Sequence, residues 1–192
     1  GTETEATILY LDFRGSTRLF TAETMGPKNA LKHLHMYFEE RLIVLDKYEG
    51  MIDKYMGDGF MALFGVPYPS DDPAQDAKNA VLAALELREV VKQINERSEE
   101  EPMLVGIGIS TGLVIAGNIG TRRRANYSVL GTDVNIAARL EKAARSVENG
   151  ILISANSYAH VKDIVKVRPF VDLDAPNKES HLTAYEVLGQ LS

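Results

Sequence analysis

Two aspartates stand where the backbone would hold them up to solvent. Asp12 ends the apolar run "ATILYLDF", and Asp58 sits in the Gly57-Asp58-Gly59 turn of "DKYMGDGFMALFG". Carboxylates brought close together repel, and one of them normally takes up a proton. A hard divalent cation removes that conflict, because Mg²⁺ and similar ions prefer carboxylate and carbonyl oxygens. The same residues have a plainer reading. An Asp-Gly pair between apolar runs is a strong hairpin signal, and an aspartate often just ends a strand. Spacing alone leaves both readings open. After Asp12, "FRGSTRL" offers Gly15, Ser16 and Thr17, whose backbone N–H groups could form a nest for phosphate oxygens. Lys54 lies four residues before Asp58, in a strand that otherwise looks buried.

A second cluster lies in "NYSVLGTDVNIAARLE", which reads as strand, glycine turn and helix. Asn135 and Arg139 are four apart and project from one helix face, with Ala137 and Ala138 keeping the surface between them slim. The arginine offers a planar fork of donors suited to phosphate, and the asparagine could fix a sugar or ring oxygen. Alternatively Arg139 pairs with Glu141 or another surface acid, and Asn135 is simply exposed. Asp133 reads as a first-turn acid favoured by the helix dipole.

The elements that must position these residues follow from apolar spacing. Ala6–Phe13 reads as a buried strand. Pro27–Tyr48 reads as a helix with Leu31, Leu34, Phe38, Leu42 and Leu45 on one face, followed by a hairpin over Met51–Gly65. Asp72 caps the next helix, whose stripe is Ala77, Ala80, Ala84, Leu87, Val91 and Ile94, and the charged "NERSEEEP" ends it. Leu104–Ser110 and Leu113–Asn118 read as a second hairpin around Thr111-Gly112. Further on come a strand at Tyr127–Leu130 and a helix capped by Thr132 that runs to about Val147. A strand at Ile151–Ser154, a helix at Ser157–Asp163, and strands near Val165–Val171 and Leu182–Leu188 complete the chain. The order β-α-β-β-α-β is that of an α+β fold, the ferredoxin-like split βαβ core, with C-terminal additions. In that core the first strand lies beside the hairpin strands, so the end of "ILYLDF" and the tip of the Gly-Asp-Gly turn can meet.

Composition narrows the classes. The 192 residues are 45% hydrophobic and 25% charged, with net charge −6 and no cysteine. One globular domain is expected, without disulfides or thiolate metal sites, in a reducing, cytoplasmic setting. The uncharged run Met103–Thr121 holds five glycines and reads as strands rather than a membrane span. The acidic balance speaks against nucleic-acid binding, with Arg122-Arg123-Arg124 the one local basic cluster. The chain begins at Gly1 without a signal-peptide pattern, which suggests a stretch of a longer protein carrying regulatory domains.

"LDFRGST", "DKYMGDGFMALFG" and "NYSVLGTDVNIAARLE", in this order, resemble the catalytic domain of class III nucleotidyl cyclases, and the resemblance runs from Thr7 to Leu188. It implies that Asp12, Asp58 and the Phe13 carbonyl hold two Mg²⁺ or Mn²⁺ ions. It places Lys54 and Ser128 at the base-reading positions, the lysine going with adenine and the serine with a subgroup carrying serine or threonine there. Asn135 would orient the ribose, and Arg139 would stabilise the transition state as the 3′-hydroxyl attacks the α-phosphorus of ATP and expels pyrophosphate. The resemblance also implies a head-to-tail homodimer in which Lys54 and Asp58 serve opposite sites. Near the end, family members often carry a "VKGK"-like segment with a triphosphate-binding lysine. Here "DLDAPNKESHLTAYEV" puts Pro176 at that position and leaves Lys178 as the possible substitute; Ser16 stands where phenylalanine is usual. A guanylate or dual-specificity cyclase, or a nucleotide-binding module without turnover, are the competing expectations.

Overall fold

The computed structural model describes residues 1–14, 27–97, 102–121, 123–171 and 182–192. Gly15, Ser16, Thr17, Pro176 and Lys178 lie outside the described residues, as do the side chains of Leu31 and Leu34. The elements are β1 (Thr2–Arg14), α1 (Pro27–Lys47), β2 (Met51–Met56), β3 (Gly59–Phe64), α2 (Pro73–Arg97), β4 (Leu104–Thr121), β5 (Arg124–Leu130), α3 (Thr132–Ala144), β6 (Ile151–Ser154), α4 (Ala155–Val161), β7 (Val165–Val171) and β8 (Thr183–Gln190). Among the described residues the strands form one sheet in the order β2-β3-β1-β4-β6-β8-β7, with β5 paired to β4. β1 is antiparallel to both β3 and β4. With α1 and α2 this is the split βαβ core expected from the sequence, and the fold is α+β.

Alternation along β1 divides the core. Leu9, Leu11 and Phe13 face Val44 and Leu45 of α1 and the alanine-rich stripe of α2, together with Ile107, Ile109, Ile151 and Ile153. Ala6 and Ile8 point to the other face, where Ala137 of α3 joins them. Leu140 and Ala144 carry α3 on to Leu152 of β6 and Ala184 of β8. Ala77, Ala80, Ala84, Leu87 and Val91 of the α2 stripe are buried and Ile94 is partly buried, and the Asp72 carboxylate accepts from the Ala74 N–H at 2.9 Å, capping the helix as expected.

Four expectations are corrected. There is no hairpin at Thr111-Gly112: β4 is one strand, registered with β1 from Thr2↔Ala116 to Arg14↔Leu104. The polar residues that suggested a turn are satisfied inside the structure. The Thr111 hydroxyl shares hydrogen bonds with those of Thr7 (2.8 Å) and Ser157 (2.9 Å). Gly112 is small because the Asp133 carboxylate lies over it, 2.0 Å from where a Cβ would be. Thr132 is not the cap of α3. Gly131 holds that position without a side-chain cap, and the helix ends at Ala144 rather than near Val147. α4 starts two residues earlier than expected, because Ser154 rather than a later residue caps it, accepting from the Ser157 N–H at 3.2 Å. On α1, Leu42 is not in the core (37% exposed), whereas its neighbour Arg41 is buried.

The seating of α3 depends on a bare backbone beneath it. At Gly108 a Cβ would stand 2.2 Å from both the Ala137 carbonyl oxygen and the Glu141 nitrogen, so the helix lies directly on β4. Gly108→Ala is therefore expected to lose about 1–3 kcal/mol of stability in urea denaturation. Gly189→Ala, where a Cβ meets nothing within 4 Å, should change little.

Candidate active site

The site begins with a turn pressed against a strand end. Gly57 takes a left-handed φ of 63°, which closes the β2–β3 hairpin and leaves Asp58 at its tip. At Gly59 a Cβ would lie 2.3 Å from the Leu11 carbonyl oxygen and 3.0 Å from Asp12 Oδ1. Only a residue without a side chain lets the hairpin come that close to β1, and the approach sets Asp58 beside Asp12. Burial, and then the neighbouring Asp12 charge, push the Asp58 carboxyl above its ordinary value. A cation between the two would relieve both effects.

Two arginines brace this corner. Arg41 of α1 is buried, its guanidinium 3.8 Å above the Phe13 ring, and it donates to the Asp58 carbonyl oxygen at 3.0 Å. Arg145, just past α3, donates to the Asp12 carboxylate and, at 2.8 Å, to Glu141 Oε1. Glu141 is itself buried, and that burial raises its pKa against the lowering effect of Arg145. Sequence reading missed Arg41, Arg145 and the role of Glu141. The Glu141–Arg145 spacing of one helical turn was a usable signal. Nothing in the spacing of α1 distinguished Arg41 from a surface arginine.

The donor set suits a hard cation. Asp12 and Asp58 supply carboxylates where the hairpin tip meets the end of β1. Among the described residues no group of three or more His, Asp or Glu side chains forms a closed metal cluster. A cation held here would complete its shell with backbone, water or substrate oxygens.

The other candidate residues lie on separate elements. Lys54 is on β2, the outer strand, with its side chain 53% exposed and its ammonium 3.1 Å from Asp53 Oδ2. Ser128 is buried on β5, paired with Gly117. Asp12 pairs with Gly106, so eleven residues of β4 separate the two positions, roughly 35 Å along the strand. Counted the same way through Met61, Tyr10 and Gly108, Lys54 lies nine residues of β4 from Gly117, the partner of Ser128. On α3, Asn135 is exposed and Arg139 half-buried, one turn apart, while Ala137 between them is buried under the sheet contact. Asp133 does more than favour the helix start: it accepts a 2.5 Å hydrogen bond from the Ser110 hydroxyl.

Solved structures that share this shape include nucleotide cyclases. The adenylyl cyclase CyaB from P. aeruginosa superposes with a TM-score of 0.86 at 30% identity, covering 97% of this chain and 95% of that one. The guanylyl cyclase Cya2 gives 0.84 at 32% identity, covering 100% and 95%. Adenylate cyclase 1 of Rhizobium meliloti (strain 1021) is 29% identical over 96% of this chain but only 28% of its own length. The chain thus spans about a quarter of the length of the curated relatives it matches. Among the described residues, no helix is long and apolar enough to cross a membrane. Residues 2–181 match the family described as the adenylate and guanylate cyclase catalytic domain, and the chain belongs to that family.

Proposed function

We propose that this domain converts ATP to 3′,5′-cyclic AMP and pyrophosphate as a head-to-tail homodimer with two shared sites. The observation that carries the reading is the meeting of Asp12 and Asp58 at the end of β1, in a chain of the cyclase family. Two Mg²⁺ or Mn²⁺ ions at that pair, when bound, would neutralise the triphosphate and make the ribose 3′-hydroxyl acidic enough to attack the α-phosphorus in line. Asp12, Asp58 and the Phe13 carbonyl would hold those ions. The Gly15-Ser16-Thr17 segment donates backbone N–H groups to phosphate oxygens, and Lys178 takes the triphosphate role that Pro176 cannot fill. The resemblance of the three motifs to the cyclase family is what supports taking the rest of the site from the partner chain. That partner supplies Lys54 and Ser128 to the base, Asn135 to the ribose, and Arg139 to the charge that builds on the α-phosphate.

Lys54 is the reason for choosing ATP, since the fold is shared with both an adenylyl and a guanylyl cyclase. An ammonium can donate to adenine N1, but guanine presents an N–H there and two donors would face each other. The Ser128 hydroxyl can donate or accept, so discrimination rests mainly on Lys54. The domain is proposed to work on the cytoplasmic side, as the catalytic part of a longer protein whose regulatory domains adjust the dimer.

Incubated with Mn²⁺ at high protein concentration, the domain is expected to form cyclic AMP from ATP faster than cyclic GMP from GTP. Cyclic GMP in excess would reverse the base assignment, and neither product would leave a nucleotide-binding module. Asp58→Ala and Arg139→Ala should each lose at least about 100-fold in kcat. Mixed in equal amounts, they should recover about a quarter of wild-type activity, because half the dimers are mixed and each has one intact site. No recovery would reject the shared site.

The raised Asp58 pKa gives a test that does not need turnover. Without metal, an acid with a raised folded-state pKa costs stability once pH exceeds its unfolded value, about 4. The melting temperature of Asp58→Asn should therefore rise relative to wild type as pH climbs through and above that range. Adding Mn²⁺ should stabilise wild type and not the variant, and the gain should fade on acidification as protons compete for the carboxylates.

A further inference from the structure

Resting on the adenine-reading role proposed for Lys54, we infer that Asp53 is a positioning residue: its buried carboxylate holds the Lys54 ammonium in the orientation that meets the base, and so sharpens the choice of adenine over guanine. The register of β2 against β3 passes from Ile52↔Ala62 to Lys54↔Met61, which leaves Asp53 as the extra residue of a β-bulge. Bulges re-aim side chains, and this one sends a carboxylate inward from the outermost strand. The Asp53 side chain is only 1% exposed. Neither of its oxygens accepts a well-aligned hydrogen bond, although the Lys54 ammonium stands 3.1 Å from Oδ2 as an ion pair. The Asp53 charge is also felt by Tyr10 on β1, whose phenol is pushed up by burial first and by Asp53 second. Lys54 pairs with Met61, which pairs with Tyr10, so Lys54 shares the sheet face of Tyr10 and Asp12.

A buried carboxylate with no hydrogen bond is costly, and packing alone would favour an apolar residue at such a place. Its compensation is the lysine beside it. Lys54 by itself is a flexible stem with an exposed head, free to sample many rotamers. Tied at one side to a fixed carboxylate, its remaining N–H donors point in fewer directions, and a base that offers an acceptor is met without ordering the side chain anew. Asp53 is too deeply buried to touch the nucleotide, so it acts through Lys54.

Asp53→Asn keeps the shape and removes the charge; Asp53→Val also removes the polar oxygens from a buried strand position. Both are expected to raise KM for ATP and to lower the ratio of kcat/KM for ATP over GTP about tenfold, the size of one charge-assisted hydrogen bond. Asp53→Val should fold at least as stably as wild type in urea denaturation, and Asp53→Glu should retain part of the selectivity. In a Lys54→Met background neither change should alter the ratio further. An unchanged ratio in the single variants, or an equal drop in the Lys54→Met background, would show that Asp53 merely supports the strand and would overturn the inference. If wild type turned over neither nucleotide, the cyclase reading would fall. The same variants, compared by equilibrium dialysis for ATP over GTP binding, would still decide the role of Asp53.

Discussion

The contact between the Gly59 backbone and the end of β1 is the constraint around which the site is organised. It forces two acids together at the one place where the hairpin tip and the central strand can meet. Left alone, that arrangement is unfavourable: burial first, and the Asp12 charge second, push the Asp58 carboxyl up. The surrounding structure reduces the conflict without abolishing it. Arg145 satisfies Asp12 from one side, while Arg41 fixes the Asp58 backbone and stacks on Phe13. A residue pair held in this state is prepared for a cation, since the repulsion has already been met by folding when the ion arrives.

The same logic explains why α3 sits where it does. Its C-terminal end must bring Arg145 and Glu141 to Asp12, while its outer face carries Asn135 and Arg139. Both are possible only if the helix lies flat on β4, which the missing side chain at Gly108 allows. One helix thus serves a local electrostatic need at one end and displays polar groups away from the sheet along its length.

The fold was largely legible because its core follows simple periods. The apolar runs of β1 and β3 and the three-four spacing of the apolar stripe on α2 were read correctly, and the split βαβ order followed from them. The places where reading failed are those where tertiary partners decide. Thr111-Gly112 has the chemistry of a turn, but Thr7, Ser157 and Asp133 supply what a turn would have, and the strand runs on. Arg41 has the chemistry of a surface residue, but an aromatic ring and a carbonyl turn it inward while Leu42 goes out. In the site, the meeting of Asp12 and Asp58 could be inferred from topology. The arginines that make it tolerable come from distant segments, Arg145 lying 133 residues from Asp12 in the chain, and no local pattern linked them.

The uninterrupted β4 has a mechanical meaning. It joins the end of the sheet that carries the acids to the end that carries Ser128 by a paired, hydrogen-bonded strand with no joint in it. In the proposed dimer such a strand is a lever of roughly 35 Å, and a tilt of about 3° between protomers would carry its far end by about 2 Å. Displacements of that order separate productive from unproductive alignment of a reacting bond. A slight lean of one protomer is thus enough to change that alignment, without touching the chemistry and without unfolding anything.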